Sequence, residues 1–346
     1  MSREWEGGES LGAKAFRASA PVRLDFAGGW TDVAPFATAE RGVVVNAAIE
    51  LRAHAELEVG GDRYLLHSLD LDRTAELREG VWTGETTGEM GLPRAALRRA
   101  ELGPCVLSTR SEVPPGSGLG GSGALGVALV AALDAARRIR RPPAGLAEEA
   151  FRLEAFEADL PGGKQDQYAA ALGGFHRLGF AGGKVAVHAL SLDPEFLALL
   201  ERRLLICYTG TSRVSSTMIS RVMGAYASGR PEVVNGLRAM ADIAGQMGAA
   251  LSAGDLAEIG RLLTANWRQQ QQLDPGMKTE NMTRLEAAMT AAGALGGKAA
   301  GAGAGGSMFF LMGGDLREGA RAAENAGARV LPFRWADEGV RVEAVP

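Results

Sequence analysis

The stretch from Pro114 to Gly126, P-P-G-S-G-L-G-G-S-G-A-L-G, constrains the fold more than any other part of the chain. It lies between an expected strand, Cys105 to Ser111, and an expected helix, Ala124 to Ile139. Glycines at 116, 118, 120, 121 and 123 allow sharp turns and a close approach of backbone to a ligand. A helix starting directly after such a loop aims its unpaired N–H groups and positive dipole end back into it. The combination makes an anion site, suited to phosphate, that needs no cationic side chain.

At 346 residues the chain has room for two domains. A net charge of −4 gives no overall basic field, so neither nucleic acid nor an anionic membrane is an expected partner. Both cysteines, Cys105 and Cys207, lie in apolar strand-like runs. Free buried thiols in a reducing compartment are expected rather than a disulfide framework. Histidines 54, 67, 176 and 188 show no metal-ligand spacing. The opening M-S-R-E-W-E-G-G-E-S lacks the apolar core of a signal peptide. The most apolar helix, Ala124 to Ala136, contains Asp134 and is too short for a bilayer, so a cytoplasmic protein is expected.

Residues 1–14 read as a mobile tail, 15–190 as a first domain and 191–346 as a second. Phe16 to Phe26 is an expected strand running into a Gly28-Gly29 turn. From Ile49 to Val59 apolar and polar residues alternate cleanly, as in a strand with one wet face. Gly60-Gly61-Asp62 then reads as a hairpin turn into Tyr64 to Ser68. A helix is expected over Leu146 to Asp159, broken at Pro161-Gly162-Gly163. The second half alternates helical stretches with strands at Leu204 to Thr209, Met308 to Met312, Arg329 to Phe333 and Val340 to Val345. Strand and helix runs without regular βαβ order imply an α+β class.

Glycine makes up 48 of the 346 residues, so a glycine motif counts only in the right context. Gly116 to Gly121 and Gly301 to Gly306 both satisfy G-x-G-x-x-G. A dinucleotide site also needs an acid closing the next strand about 20 residues on. After Gly121 that distance reaches Arg140-Arg141-Pro142-Pro143, and the second run leads into a strand where a helix is required. Both fail, which also removes a dehydrogenase. No lysine completes a Walker A loop.

Three stretches in order resemble the GHMP sugar and metabolite kinases. They are P-V-R-L-D-F-A-G-G-W-T-D (Pro21 to Asp32), the loop at 114–126, and G-A-G-A-G-G (301–306). Gly162 to Phe175 and Tyr208 to Ser216 are further similar to the D-glycero-D-manno-heptose 7-phosphate kinases, while the G-G-W-T-D turn is also similar to L-fucokinases. The resemblance implies a two-domain fold: an N-terminal ribosomal-protein-S5-domain-2-like α+β domain and a C-terminal ferredoxin-like one. It implies an ATP- and Mg²⁺-dependent kinase acting on the anomeric hydroxyl of a sugar or sugar phosphate. Heptose 7-phosphate, destined for nucleotide-activated heptose, comes first and L-fucose second. The alternative from another class is a non-catalytic sugar or nucleotide sensor. A homo-oligomer is compatible with all of these.

The same resemblance assigns roles residue by residue. The loop from Pro115 through Gly116, Ser117, Gly118, Leu119, Gly120 and Gly121 to Ser122 would hold the phosphates. Ser122 and Glu154 would ligate Mg²⁺, a hard ion suited to oxygen donors. Ser122 is also a natural helix N-cap. Glu157, one turn beyond Glu154, reads as a solvated surface residue. Asp166 would take or orient the acceptor proton, with Arg23 paired to it or to the transferring phosphoryl group. Asp32, Gly28, Gly29, Gly163, Gln165, Gly303 and Gly305 would line the acceptor. Lys164 and Arg213 are the candidates for a remote phosphate. Two departures from the family pattern stand out. Gly121 stands where a first serine is frequent, and Ala304 where a glycine is common.

Overall fold

The apolar alternations near the N-terminus form the two long strands on which the rest is built. The computed structural model describes residues 15–84, 88–210 and 215–345; the expected tail and Arg213 lie outside them. The strands of the first half are β1 (Ala15–Ala27), β2 (Gly42–Val59), β3 (Tyr64–Ser68), β4 (Arg73–Arg78), β5 (Val81–Gly84), β6 (Cys105–Ser111), β7 (Phe175–Ala181) and β8 (Lys184–Ala189). Those of the second are β9 (Leu204–Tyr208), β10 (Ala294–Ala299), β11 (Ser307–Met312), β12 (Arg329–Leu331) and β13 (Arg341–Val345). Helices α1 (Phe36–Ala39), α2 (Gly91–Ala100), α3 (Gly121–Ala136), α4 (Pro143–Arg152) and α5 (Gln165–Leu172) belong to the first half. The second half holds α6 (Pro194–Glu201), α7 (Ser215–Ala227), α8 (Pro231–Ala253), α9 (Leu256–Gln272), α10 (Glu280–Ala291) and α11 (Leu316–Asn325).

Among the described residues the strands form two sheets. The larger runs β13-β1-β2-β6-β3-β4-β5, with β7 and β8 continuing from β2. The smaller is antiparallel, in the order β10-β11-β9-β12. The expected β2–β3 hairpin does not form. β6 inserts between them, antiparallel to β2 and parallel to β3. The Gly60-Gly61 turn therefore spans a missing rung rather than closing a ladder, which the local sequence could not reveal. The alternation in β2 holds from Ala53 to Leu57, but a register shift before it leaves Leu51 half-buried and buries Arg52, which donates to Ser19 and Gly339.

Two register irregularities in the β1–β2 ladder, at Pro21/Val22 and Asp25/Ala27, bracket Arg23 and Asp25. Pro21 has no N–H to give the ladder, and such bulges re-aim the side chains beside them. Helix α3, nearly all small apolar residues, packs on β1 and β2, as its all-round apolarity requires. Its one acid, Asp134, is buried against Arg141 at 2.6 Å. Helices α8 and α9 reach β1 from the other half of the chain. Cys105 and Cys207 are free and buried, their thiols pushed up to about 11 and about 12 by desolvation. Among the described residues no helix is long and apolar enough to cross a membrane.

The turn after β1 is fixed by glycine. Gly28 has φ +89°, and a Cβ there would lie 1.9 Å from the Val43 carbonyl oxygen. Its N–H donates to Asn266 of α9 at 2.9 Å. Gly28→Ala is expected to destabilise the fold by more than about 2 kcal/mol. A fall in the urea midpoint measures it; an unchanged midpoint contradicts it.

Candidate active site

The end of β1, the glycine loop and the N-terminus of α5 converge on a cleft of about 540 Å³. Here the loop keeps its backbone donors free. Among the described residues, the N–H groups from Gly118 to Gly123 give no hydrogen bond to another backbone or side-chain group. Ser117 differs from expectation: its N–H closes a turn on Pro114 at 3.0 Å, so the free donors begin at Gly118. Gly116, Gly118 and Gly120 carry the positive φ angles that turn the loop, and α3 begins at Gly121. Leu119 contributes only backbone; its side chain is fully buried and its carbonyl accepts the Arg23 N–H at 2.9 Å. Pro115, Gly116 and Ser117 line the cleft, whereas Leu119 does not.

Arg23 and Asp166 form the centre of the cleft. The guanidinium is 4% exposed, and its Nε and Nη2 both reach Asp166 Oδ1 at 2.7 Å. Nη1 donates to the carbonyls of Gly118 at 2.7 Å and Ala300 at 2.8 Å. The arginine is thus spent on the carboxylate and two backbone oxygens, and Asp166 Oδ2 has no partner among the described residues. Gly120 and Gly123 make the approach possible: a Cβ at Gly123 would sit 2.6 Å from that of Asp166, and one at Gly120 3.2 Å from its Cγ.

Glu154 sits in a π-helical turn, Leu153–Glu157, that continues α4. Such turns are frequent at functional sites because the extra residue redirects a side chain. Glu154 accepts from Gln167 Nε2 at 2.5 Å. Burial, with the Asp166 charge adding, pushes its carboxyl up to about 7 against hydrogen bonds from Ser122 and Gln167. Ser122 is not the N-cap of α3; Gly120 holds that position, and no side chain caps the helix. That leaves its hydroxyl beside Glu154. A carboxyl so raised, next to a hydroxyl and free amides, fits a divalent cation, whose charge would favour the ionised form. Among the described residues no group of three or more acidic, histidine or cysteine side chains is arranged to hold a metal ion, so phosphate and water oxygens would complete the shell. Glu157 is half-buried rather than freely solvated, paired with Arg99, which also holds Glu149.

Several expected acceptor residues lie elsewhere. Gly29, Asp32, Gly163 and Gln165 line the cleft. Gly28 does not, and its role is the backbone turn. Lys164 is turned away, its ammonium on Glu148 at 2.7 Å and over the Phe151 ring. Gly303 packs on Met277, and neither it nor Gly305 reaches the cleft; Gly301 and Ala302 do. The third glycine run instead buttresses the loop. Ser307 N–H donates to the Ser117 carbonyl at 2.7 Å, and Gly306 is packed on Gly116 and Ser117. Ala304 takes up φ +59° where glycine would be unstrained.

Three residues escaped the sequence reading. Asp25 lies in the cleft and Lys298 of β10 binds it at 2.8 Å, both buried. Burial pulls the Lys298 ammonium below the usual lysine range, with Asp25 opposing. The available signals were Asp25 two positions from Arg23 on a strand, and one lysine in the otherwise apolar A-L-G-G-K-A. Trp30 lines the cleft at φ +83°, a conformation a bulky residue holds only under constraint.

Comparison with known proteins follows the same line. Residues 92–174 match the model for the GHMP kinases N terminal domain and residues 247–331 that for GHMP kinases C terminal. The D-glycero-alpha-D-manno-heptose 7-phosphate kinase of Campylobacter jejuni is 29% identical over 307 residues, 86% of this chain and 90% of that protein. Mevalonate kinase of Pyrococcus horikoshii is 30% identical over 245 residues, 69% of either chain. In fold, a crystal structure described as a D-glycero-D-manno-heptose 1-phosphate kinase from Bacteroides thetaiotaomicron superposes with a TM-score of 0.76. It covers 96% of this chain and 99% of that one at 24% identity. The fold and the relatives define a phosphotransferase that acts on an alcohol group. The chain belongs to the GHMP kinase family, whose members use ATP, and has that family's two-domain fold.

Asp32 is 5% exposed and accepts the Gln165 N–H at 3.0 Å. Burial first, then the charges of Asp166 and Asp25, raises its carboxyl from 3.8 to about 6. The native state therefore binds this proton more tightly than the unfolded chain. The stability it contributes is complete below pH 3.8 and lost as pH rises towards about 6. Asp32→Asn is expected to gain stability over the parent as pH rises through that window, with a ceiling of about 3 kcal/mol. Melting temperatures of both across pH check this; a difference independent of pH contradicts it.

Proposed function

We propose that the chain transfers the γ-phosphate of ATP to the anomeric hydroxyl of a sugar, namely D-glycero-D-manno-heptose 7-phosphate, giving the 1,7-bisphosphate. One observation carries the transfer chemistry. The Arg23–Asp166 pair stands in the same cleft as the unpaired N–H groups of Gly118 to Gly123. Phosphoryl transfer asks mainly for in-line placement and neutralisation of spreading charge. In this reading the free amides hold the phosphates. Ser122 and Glu154 would hold Mg²⁺, which would supply further positive charge when bound. Arg23 holds Asp166 in place through Oδ1. The free Oδ2 orients the acceptor hydroxyl and takes its proton as the new O–P bond forms and the bond from the γ-phosphorus to the bridging oxygen breaks, ADP leaving. Asp32 accepts a sugar hydroxyl, as an ionised carboxylate can only accept.

The choice of heptose is supported by likeness over nearly the full length of the Campylobacter jejuni relative and by Gly162 to Phe175 and Tyr208 to Ser216. With Lys164 held by Glu148, the sugar's own phosphate falls to Arg213, outside the described residues. The Gly28-Gly29-Trp30-Thr31-Asp32 turn keeps L-fucose as the second acceptor.

Purified protein with ATP, Mg²⁺ and a panel of sugars tests the assignment. Phosphate at C1 of the heptose is expected; turnover of L-fucose alone overturns the heptose choice and leaves the kinase. Asp166→Asn is expected to lower kcat by at least about 100-fold while nucleotide binding persists. Near-parental turnover in that variant removes Asp166 from the chemistry.

A further inference from the structure

One buried ion pair of the cleft takes no part in phosphate binding or proton transfer. Lys298 is fully buried, and its ammonium donates to Asp25 twice, to Oδ2 at 2.8 Å and to the backbone carbonyl at 2.7 Å. Asp25 is 2% exposed and lines the cleft, yet its other oxygen, Oδ1, has no hydrogen-bond partner among the described residues. Burying two charges costs several kcal/mol each, and an apolar pair of similar volume is commonly as stable. Stability alone is thus a poor reason for this pair.

Its placement suggests another. Lys298 and Ala300 of the β10 segment hold Asp25 and Arg23 of β1, so two neighbouring rungs cross from one sheet to the other. One rung fixes the arginine that carries Asp166. The other fixes a carboxylate directly beneath Gly29, where a Cβ would be 2.2 Å from Asp25 Oδ2. Beside it, Gln165 Oε1 is a second buried acceptor without a partner, and Asp32 is a third carboxylate. Walls so rich in acceptors suit a ligand bearing several O–H donors and disfavour one whose recognised group is itself a carboxylate.

We propose that Asp25 is a further acceptor-binding residue, taking an O–H of a polyhydroxylated substrate on Oδ1, and that Lys298 is the positioning residue that aims it. The proposal rests on the sugar-kinase reading above.

The full chain carrying Asp25→Asn, Lys298→Met or both is assayed with D-glycero-D-manno-heptose 7-phosphate, or with L-fucose if only that is turned over. Thermal melting is recorded alongside. Asp25→Asn is expected to raise the acceptor KM about 10- to 100-fold, the loss of one hydrogen bond to a charged group, with the ATP KM within about twofold. Lys298→Met is expected to raise it in the same direction. The double variant leaves no unpaired buried charge, so it is expected to regain the parental melting temperature and keep the high acceptor KM. Recovery of both together overturns the proposal and makes the pair purely structural. If the single variants do not fold, the double variant decides. Deoxy sugars lacking one hydroxyl give a second readout. One of them is expected to lose about tenfold in the parent and nothing further in the double variant; equal losses in both proteins for every analogue overturn the proposal. No turnover of any sugar by the parent refutes the sugar-kinase reading itself, whereas an active parent with unmoved variant KM values refutes only the role of Asp25.

Discussion

The Arg23 guanidinium is the interaction on which the cleft depends. It is buried, and its hydrogen bonds reach three different segments: α5 through Asp166, the glycine loop through Gly118, and the residue after β10, Ala300. An arginine in so dry a place is tolerated only if its planar donors are met. Meeting them forces three distant parts of the chain into one register. Much of the glycine content near the cleft follows from this demand. Gly120 and Gly123 are bare because Asp166 occupies the space, and Gly301 because the Gly118 backbone does.

The carboxyls around that arginine are unequal, and the inequality is physical. Asp166 has a cation in contact. Asp32 and Glu154 have no cation in contact among the described residues and feel the charge of Asp166, and both are raised, to about 6 and about 7. A single cleft thereby offers one carboxylate already paired with a cation and two that respond to whatever cation or hydroxyl arrives. The π-helical turn serves the same end by carrying Glu154 towards Gln167 and Ser122 while Glu157 is tied to Arg99.

Much of this was legible in the sequence, because local chemistry dictated it. The loop at 114–126, the helix after it, the strands at 16–26 and 204–209, and the Arg23–Asp166 partnership all rest on glycine, period or motif. What was not legible depends on residues far apart in the chain. The insertion of β6 between β2 and β3 replaces a hairpin that Gly60-Gly61 locally favours. Lys164 reads as a phosphate ligand until α4 brings Glu148 to it. Gly303 and Gly305 share a motif with Gly301, yet the run turns after Ala302 and only its start faces the cleft. Lys298 signals nothing until Asp25 stands opposite.

The last strand gives the architecture a topological character. β13 pairs with β1 from Ala15↔Val345 to Ser19↔Arg341, beside the strand that opens the first sheet. Everything from α6 to β12 is therefore a closed excursion, entered from β8 and left through β13. Both its ends are clamped in the same sheet. Loosening such a segment at its far end means opening the β13–β1 ladder over Ala15 to Ser19, at the start of the strand that carries Arg23. Loss of either sheet's order is transmitted to the other through covalent connection as well as through contact. The second half is thus tied to the first sheet by the chain at both of its ends.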